Sequence, residues 1–166
     1  MRFQVRGALT TLLLSTSVCP ALAAGNGTGT ATIIQPLTVT ANTTLRFGTL
    51  IRPAAGSATA VISTAGAFSG TASAVASGPQ GNGDFTVSGE GGQSVTVSVD
   101  ASFNMTGPGA AIPVTTTATN TGSHSLSGSL GSAGTLDVAV GGSISIPSTQ
   151  LSGAYSGTFN VTATYN

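Results

Sequence analysis

The chain has 166 residues, of which 5% are charged, with 24 glycines and no tryptophan. A globular domain usually has about a quarter charged residues. Because the charged fraction of this chain is far lower, disorder caused by a high net charge is excluded. All four basic residues are arginine, and four acidic residues balance them. The sequence therefore has no basic stripe for phosphates and no polybasic segment for an anionic membrane surface, and nucleic acid is not expected as a partner.

Residues 1–23 have the layout of a secretory signal peptide. Two arginines precede the apolar stretch 7–18, and small residues lie before a cleavage site after Ala23. The apolar stretch is too short to span a membrane, so no membrane span is expected in the mature chain. We expect a bacterial protein that is exported to the periplasm, the cell surface or the extracellular medium. Cys19 would leave with the peptide, and no disulfide would then form within the mature chain.

Short alternating segments fill the chain after a flexible polar leader at residues 24–30. Apolar residues alternate with serine and threonine, and glycine, proline or asparagine separate the segments. This period of two, with turn signals about every 8–12 residues, indicates half-buried strands in one antiparallel sandwich or barrel over residues 31–166. In chain order, the predicted strands are 31–41, 45–47, 58–63, 84–88, 93–100, 103–105, 112–114, 136–140, 144–146 and 155–165.

Residues suited to catalysis or metal binding are few. His124 is the single histidine, which leaves too few ligands for a zinc site, and no G-x-S-x-G motif supports a serine triad with Asp137. Asp84, Glu90 and Asp100 could approach one another as glycosidase carboxylates do, but we interpret the acids as turn or strand-end residues that keep the protein soluble. Glycine clusters without a following lysine do not form a phosphate-binding loop. We expect no enzyme activity, no cofactor and no metal.

The C-terminal segment has the strongest alternation. Its apolar positions are Tyr155, Phe159, Val161 and Tyr165. This pattern predicts a core strand with the four side chains facing inward. Such a strand is expected to lie centrally in its sheet, because otherwise one of its edges stays open for another strand.

The N-terminal segment 31–41 suits an edge of a sheet. Ile33, Leu37 and Val39 form its apolar side, and Pro36 removes one N–H from the hydrogen-bond ladder. The segment is either the first strand of its own domain or a donor strand that pairs with a neighbouring chain by β-strand addition. The sequence leaves both possibilities open.

Three pieces of the sequence carry a family resemblance. They are Leu45-Arg46-Phe47-Gly48, the strand–Gly141-Gly142–strand pattern within 136–146, and Gly153-Ala154-Tyr155-Ser156-Gly157. Over nearly its whole length, the mature chain resembles a bacterial secreted family known as domain of unknown function 4402. The closing piece is also similar to the last strand of alternative chaperone–usher pilins and of spore-coat U-type proteins.

These resemblances imply both a fold and a role. Pilins and coat proteins of this kind are immunoglobulin-like β-sandwiches that polymerise by donating an N-terminal strand to the next subunit. The chain is therefore expected to be a structural surface protein, pilin-like or coat-like, that associates with itself or with a periplasmic chaperone and usher. The alternative is a monomeric secreted β-sandwich that binds a glycan or a surface protein.

Overall fold

Antiparallel strands make up the regular structure of the described residues, 25–75 and 78–166 of a computed structural model. These residues contain no helix, so the predicted all-β sandwich class is confirmed. The predicted signal peptide, residues 1–23, lies outside the described residues. The strands are β1 (Thr38–Thr43), β2 (Leu50–Ile51), β3 (Ser57–Ile62), β4 (Phe68–Gly70), β5 (Ser73–Ala74), β6 (Gly83–Glu90), β7 (Ser94–Val99), β8 (Ser102–Met105), β9 (Ile112–Ala118), β10 (Gly122–Ser125), β11 (Ala133–Pro147) and β12 (Val161–Tyr165).

The larger sheet is organised around the long strand β11. The first part of β11 pairs with β6 as far as Val140, and from Gly142 onward the same edge pairs with β3. Strand β9 runs along the opposite edge, and β8 pairs with β9. β1 lies beyond β6, and β4 lies beyond β3. β11 therefore runs without interruption past two different neighbours on one side.

A smaller sheet of three strands, in the order β10, β7, β12, faces part of the larger one, and β2 pairs with β5 separately. Within the compact unit Ile33–Asn166, the interior contains two apolar clusters. The first includes Ile62 and Val114 of the larger sheet, and the second joins Val87 of β6 to Val97 of β7. Burial of each such side chain contributes about 1.5–3 kcal/mol, so these two clusters hold the sheets together.

Several strands were predicted from the alternation of apolar and polar residues, and in these strands buried and exposed side chains alternate as expected. In β7, Val95 and Val97 are buried while Ser94, Thr96 and Ser98 are exposed. The confirmed strands are 58–63 as β3, 84–88 as β6, 93–100 as β7, 103–105 as β8 and 112–114 as β9.

Other predicted strands differ from those observed. Predicted strands 136–140 and 144–146 are one strand of 15 residues, because Gly141 and Gly142 continue the ladder instead of turning it. Segment 45–47 is reduced to a single bridge between Arg46 and Gly81. Strand β10, which carries His124 opposite Val95, is absent from the predicted strands.

Candidate functional site

Strand β1 is an edge strand of its own chain. It pairs with β6, with Thr38 opposite Ser88, and all six of its side chains are exposed. Among the described strands, none pairs with its outer edge. Of the candidate donor residues, Leu37 packs against the second cluster, whereas Val39 is 38% exposed and Ile33 is 92% exposed. The observed strand begins later than the predicted segment 31–41, because only its end reaches the edge of β6.

The four C-terminal core candidates are divided between the two clusters. Tyr155 packs against the first cluster, and Phe159, Val161 and Tyr165 pack against the second. Phe159 also stacks on Phe103 of the first cluster, with ring centroids 5.2 Å apart. The observed strand β12 is shorter than predicted and pairs only with β7, so the expectation of a central strand is wrong. Alternation reveals which face of a strand is buried but not which strands lie beside it.

Buried Glu90 ties the start of the chain to its end. Its carboxylate accepts hydrogen bonds from the backbone N–H groups of Gln35, at 3.2 Å, and of Gly131. Its own N–H donates to the Tyr165 hydroxyl at 2.6 Å, and that hydroxyl donates to the Gln35 carbonyl at 2.8 Å. The interpretation of Glu90 as a solubilising residue is wrong, since it is 3% exposed.

An apolar groove opens beside the first cluster. It has a volume of about 710 Å³, and its floor is formed by Met105, Ile112, Ile144 and Ile146 from three strands of the larger sheet. One wall is formed by residues within 45–52, and the other by residues 150–155. Its volume falls within the range of small-molecule sites, and its lining is mainly apolar.

The polar groups of the groove are concentrated on its walls. Arg46 and Arg52 both line it, and Arg52 Nη1 donates to the Gln150 carbonyl 3.1 Å away, joining the two walls. Arg46 Nε donates to Thr44 Oγ1 at 3.0 Å. The described residues that line the groove include no acidic residue. Its electrostatic character is therefore positive.

Tyr155 fixes the wall 150–155. Its hydroxyl accepts hydrogen bonds from the Gly109 N–H at 2.9 Å and from Gln150 Nε2 at 2.8 Å. The same hydroxyl donates to the Leu151 carbonyl at 2.9 Å. Gln150 Nε2 donates further to the carbonyl of Ala110, at 2.6 Å. This network holds an irregular segment in one conformation without strand pairing.

Replacing Tyr155 by phenylalanine is expected to lower the free energy of unfolding by about 1–2 kcal/mol, because the half-buried Gly109 N–H and the buried Gln150 side chain each lose a hydrogen bond. Urea unfolding followed by circular dichroism measures the loss. Thr162→Val is the control, since its exposed hydroxyl makes one 3.5 Å contact and a change within about 0.5 kcal/mol is expected. Equal stability of Tyr155→Phe and the unsubstituted chain would contradict the role of the hydroxyl.

The remaining titratable residues lie apart from the groove. Asp84 accepts a hydrogen bond from Asn42, Asp100 from Asn160, and Asp137 from a threonine of β6. Within residues 25–75 and 78–166, no group of three or more His, Cys, Asp or Glu side chains could hold a metal ion. In the same part of the chain, no helix is long and apolar enough to cross a membrane.

Sequence reasoning missed the groove. Its walls are irregular apart from the two-residue strand β2, so no repeating pattern in the sequence marks them, and its floor has the same pattern as the rest of the core. The one available signal was the placement of Arg46 and Arg52, the two arginines of the expected mature chain, within a short apolar stretch.

Comparison with known proteins identifies the family of this chain. Neither a curated protein nor a solved structure matches the chain. A family model described as domain of unknown function DUF4402 matches residues 37–165, which include all of the strands β1 to β12 described above. The chain therefore belongs to the DUF4402 family, as its sequence pieces predicted.

Proposed function

We propose that this chain is an exported structural subunit of a surface fibre or coat whose copies assemble by exchanging strand β1. The supporting observation is the attachment of β1 to its own domain. All six side chains are exposed, and a single neighbour, β6, holds the backbone. The strand can leave its own β6 and form the same hydrogen bonds with β6 of the next copy. Repeated exchange in one direction produces a linear polymer.

The residues around β1 favour this exchange. The sequence of β1 has no charged residue and no proline, two common means of blocking edge-to-edge pairing. Leu37 would re-enter the second cluster of the neighbouring copy as the anchor of the strand. Ile33, at 92% exposure, contributes almost no burial in its own chain and is free to contact the neighbour. A periplasmic chaperone that holds β6 before exchange is the class of partner implied.

Paired cysteines at the β1–β6 junction test the proposal. Thr38 and Ser88 are directly opposite each other in the sheet. The Cα atoms of opposed residues in antiparallel strands lie about 4.5–5.5 Å apart, which is within the Cα–Cα range of a disulfide. The double substitution Thr38→Cys, Ser88→Cys should therefore yield a ladder of covalent multimers on a non-reducing gel. The exported chain is expected to begin after Ala23, so Cys19 would not interfere.

The matched control introduces a cysteine pair between two strands, β12 and β7, that stay paired within one chain when β1 is exchanged. Thr162 lies opposite Ser98 across β12 and β7. Thr162→Cys, Ser98→Cys should therefore give oxidised subunits without a covalent ladder. If both double variants give only oxidised monomers, β1 stays in its own sheet and the exchange proposal is wrong.

A self-complete binding module is the second candidate. The pairing of β1 with β6 in its own chain favours it, because the sandwich then needs no strand from outside. Light scattering of the purified mature chain separates the two functions. A monomer at every concentration supports the module, whereas polymers that survive in SDS without boiling support the fibre or coat.

A further inference from the structure

The groove beside the first cluster combines two features that β1 exchange does not use. Its floor is aliphatic, with Ile112, Ile144 and Ile146 as examples, and its walls carry Arg46 and Arg52. No residue of β1 or β6 lines it, so it is independent of the proposed assembly contact.

Charge is distributed unevenly over the described residues. Their only two basic side chains, apart from His124, are Arg46 and Arg52, and both are exposed on the groove. No salt bridge engages either guanidinium within residues 25–75 and 78–166. An arginine pairs with a carboxylate through charge-assisted hydrogen bonds, so the groove complements an anion.

The floor of the groove determines what the anion must be attached to. Met105 and the three isoleucines offer no hydrogen-bonding side-chain groups to the hydroxyls of a sugar. An aliphatic chain needs only apolar surface, and burial of each CH₂ group contributes about 0.8 kcal/mol.

We propose that the groove binds a free fatty acid, with the aliphatic chain along Leu50, Met105 and Leu151 above the buried isoleucine floor and the carboxylate at Arg46 and Arg52. The irregular walls suit this role, because Tyr155 fixes one of them without closing the opening. The site is a binding site only, and no chemical step is assigned to it.

Isothermal titration of the exported chain with dodecanoate tests the proposal, with 1-dodecanol as the neutral ligand of the same chain length. Dodecanoate should bind at least about tenfold more tightly than 1-dodecanol, because only the carboxylate engages the arginines. The double variant Arg46→Gln, Arg52→Gln should lose that preference, and Arg46→Lys, Arg52→Lys should retain part of it. Circular dichroism melting confirms that each variant is folded.

A second pair of variants separates groove binding from general hydrophobic adsorption. Leu151 lines the groove and is 55% exposed, and Leu130 lies outside it with 58% exposure. Leu151→Ser should weaken dodecanoate binding several-fold, whereas Leu130→Ser should leave it unchanged. Absence of dodecanoate binding by the folded chain overturns the proposal. The proposal is also overturned if 1-dodecanol binds as tightly as dodecanoate, or if Leu151→Ser and Leu130→Ser change the affinity for dodecanoate equally. Failure of β1 exchange would leave all of these results unchanged.

Discussion

Replacing Gly141 by alanine should destabilise the fold by about 3 kcal/mol, although only one methyl group is added. A Cβ atom at this position would meet the carbonyl oxygen of Ile62 and lie 2.8 Å from the carbonyl carbon of Ser63. Both are backbone atoms at the end of β3, so they cannot rotate away as a side chain would. The strand must shift instead, and the shift would disturb pairing on both edges of β11.

Two other glycines provide a graded comparison in the same experiment. At Gly142, a Cβ would lie 3.1 Å from Leu45 Cδ2, 3.2 Å from Val114 Cγ1 and 3.3 Å from the Thr115 carbonyl oxygen, so its contacts are longer than those at Gly141. At Gly81, no atom lies within 4 Å. Urea unfolding should therefore rank the losses as Gly141→Ala, then Gly142→Ala, then Gly81→Ala, with the last near zero. If the first and last variants unfold at the same urea concentration, β11 does not pass β3 as described.

The Gly141–Gly142 pair illustrates where sequence patterning fails. Two adjacent glycines between alternating segments usually indicate a hairpin turn, and this predicted two strands. The glycines are needed here because backbone and side chains from other strands pack against the middle of one strand. That requirement comes from residues far away in the sequence, such as Ile62 and Val114, so no local pattern expresses it.

The parts of the fold that were predictable are those governed by local alternation. Strand β7 was correct almost to its ends, because Val95, Val97 and the polar residues between them report one buried face and one exposed face. Strand β12 was misplaced within its sheet, since alternation carries no information about neighbours. The burial of Glu90 was missed for the same reason: a carboxylate between glycines resembles a turn until the segments around Gln35 and Gly131 converge on it.

Glu90→Ala is the second substitution with a large expected effect. Removal of the buried Glu90 carboxylate takes away the charged acceptor of the N–H groups of Gln35 and Gly131, which belong to exposed residues. A hydrogen bond to a charged group contributes about 1.5–3 kcal/mol, so removal of the acceptor of two such bonds predicts a loss of about 3 kcal/mol. Glu90→Gln keeps one acceptor oxygen and should lose less. The midpoint of urea unfolding measures both variants.

Asp137→Ala is the matched control for Glu90→Ala, because Asp137 is exposed and accepts one side-chain hydrogen bond, at 2.9 Å, from Thr86. A change within about 0.5 kcal/mol is expected there. The two variants should also differ in where the chain loosens. Glu90 holds the backbone of Gln35 just before β1, whereas Asp137 reaches β1 only through the Thr86 hydroxyl that accepts from Asn42, so amide hydrogen exchange over 35–43 should accelerate much more in Glu90→Ala than in Asp137→Ala. If the amides of residues 35–43 remain protected from hydrogen exchange in Glu90→Ala, the pairing of β1 with β6 alone holds the strand. Release of β1 for exchange would then require more than the loss of the Glu90 contact.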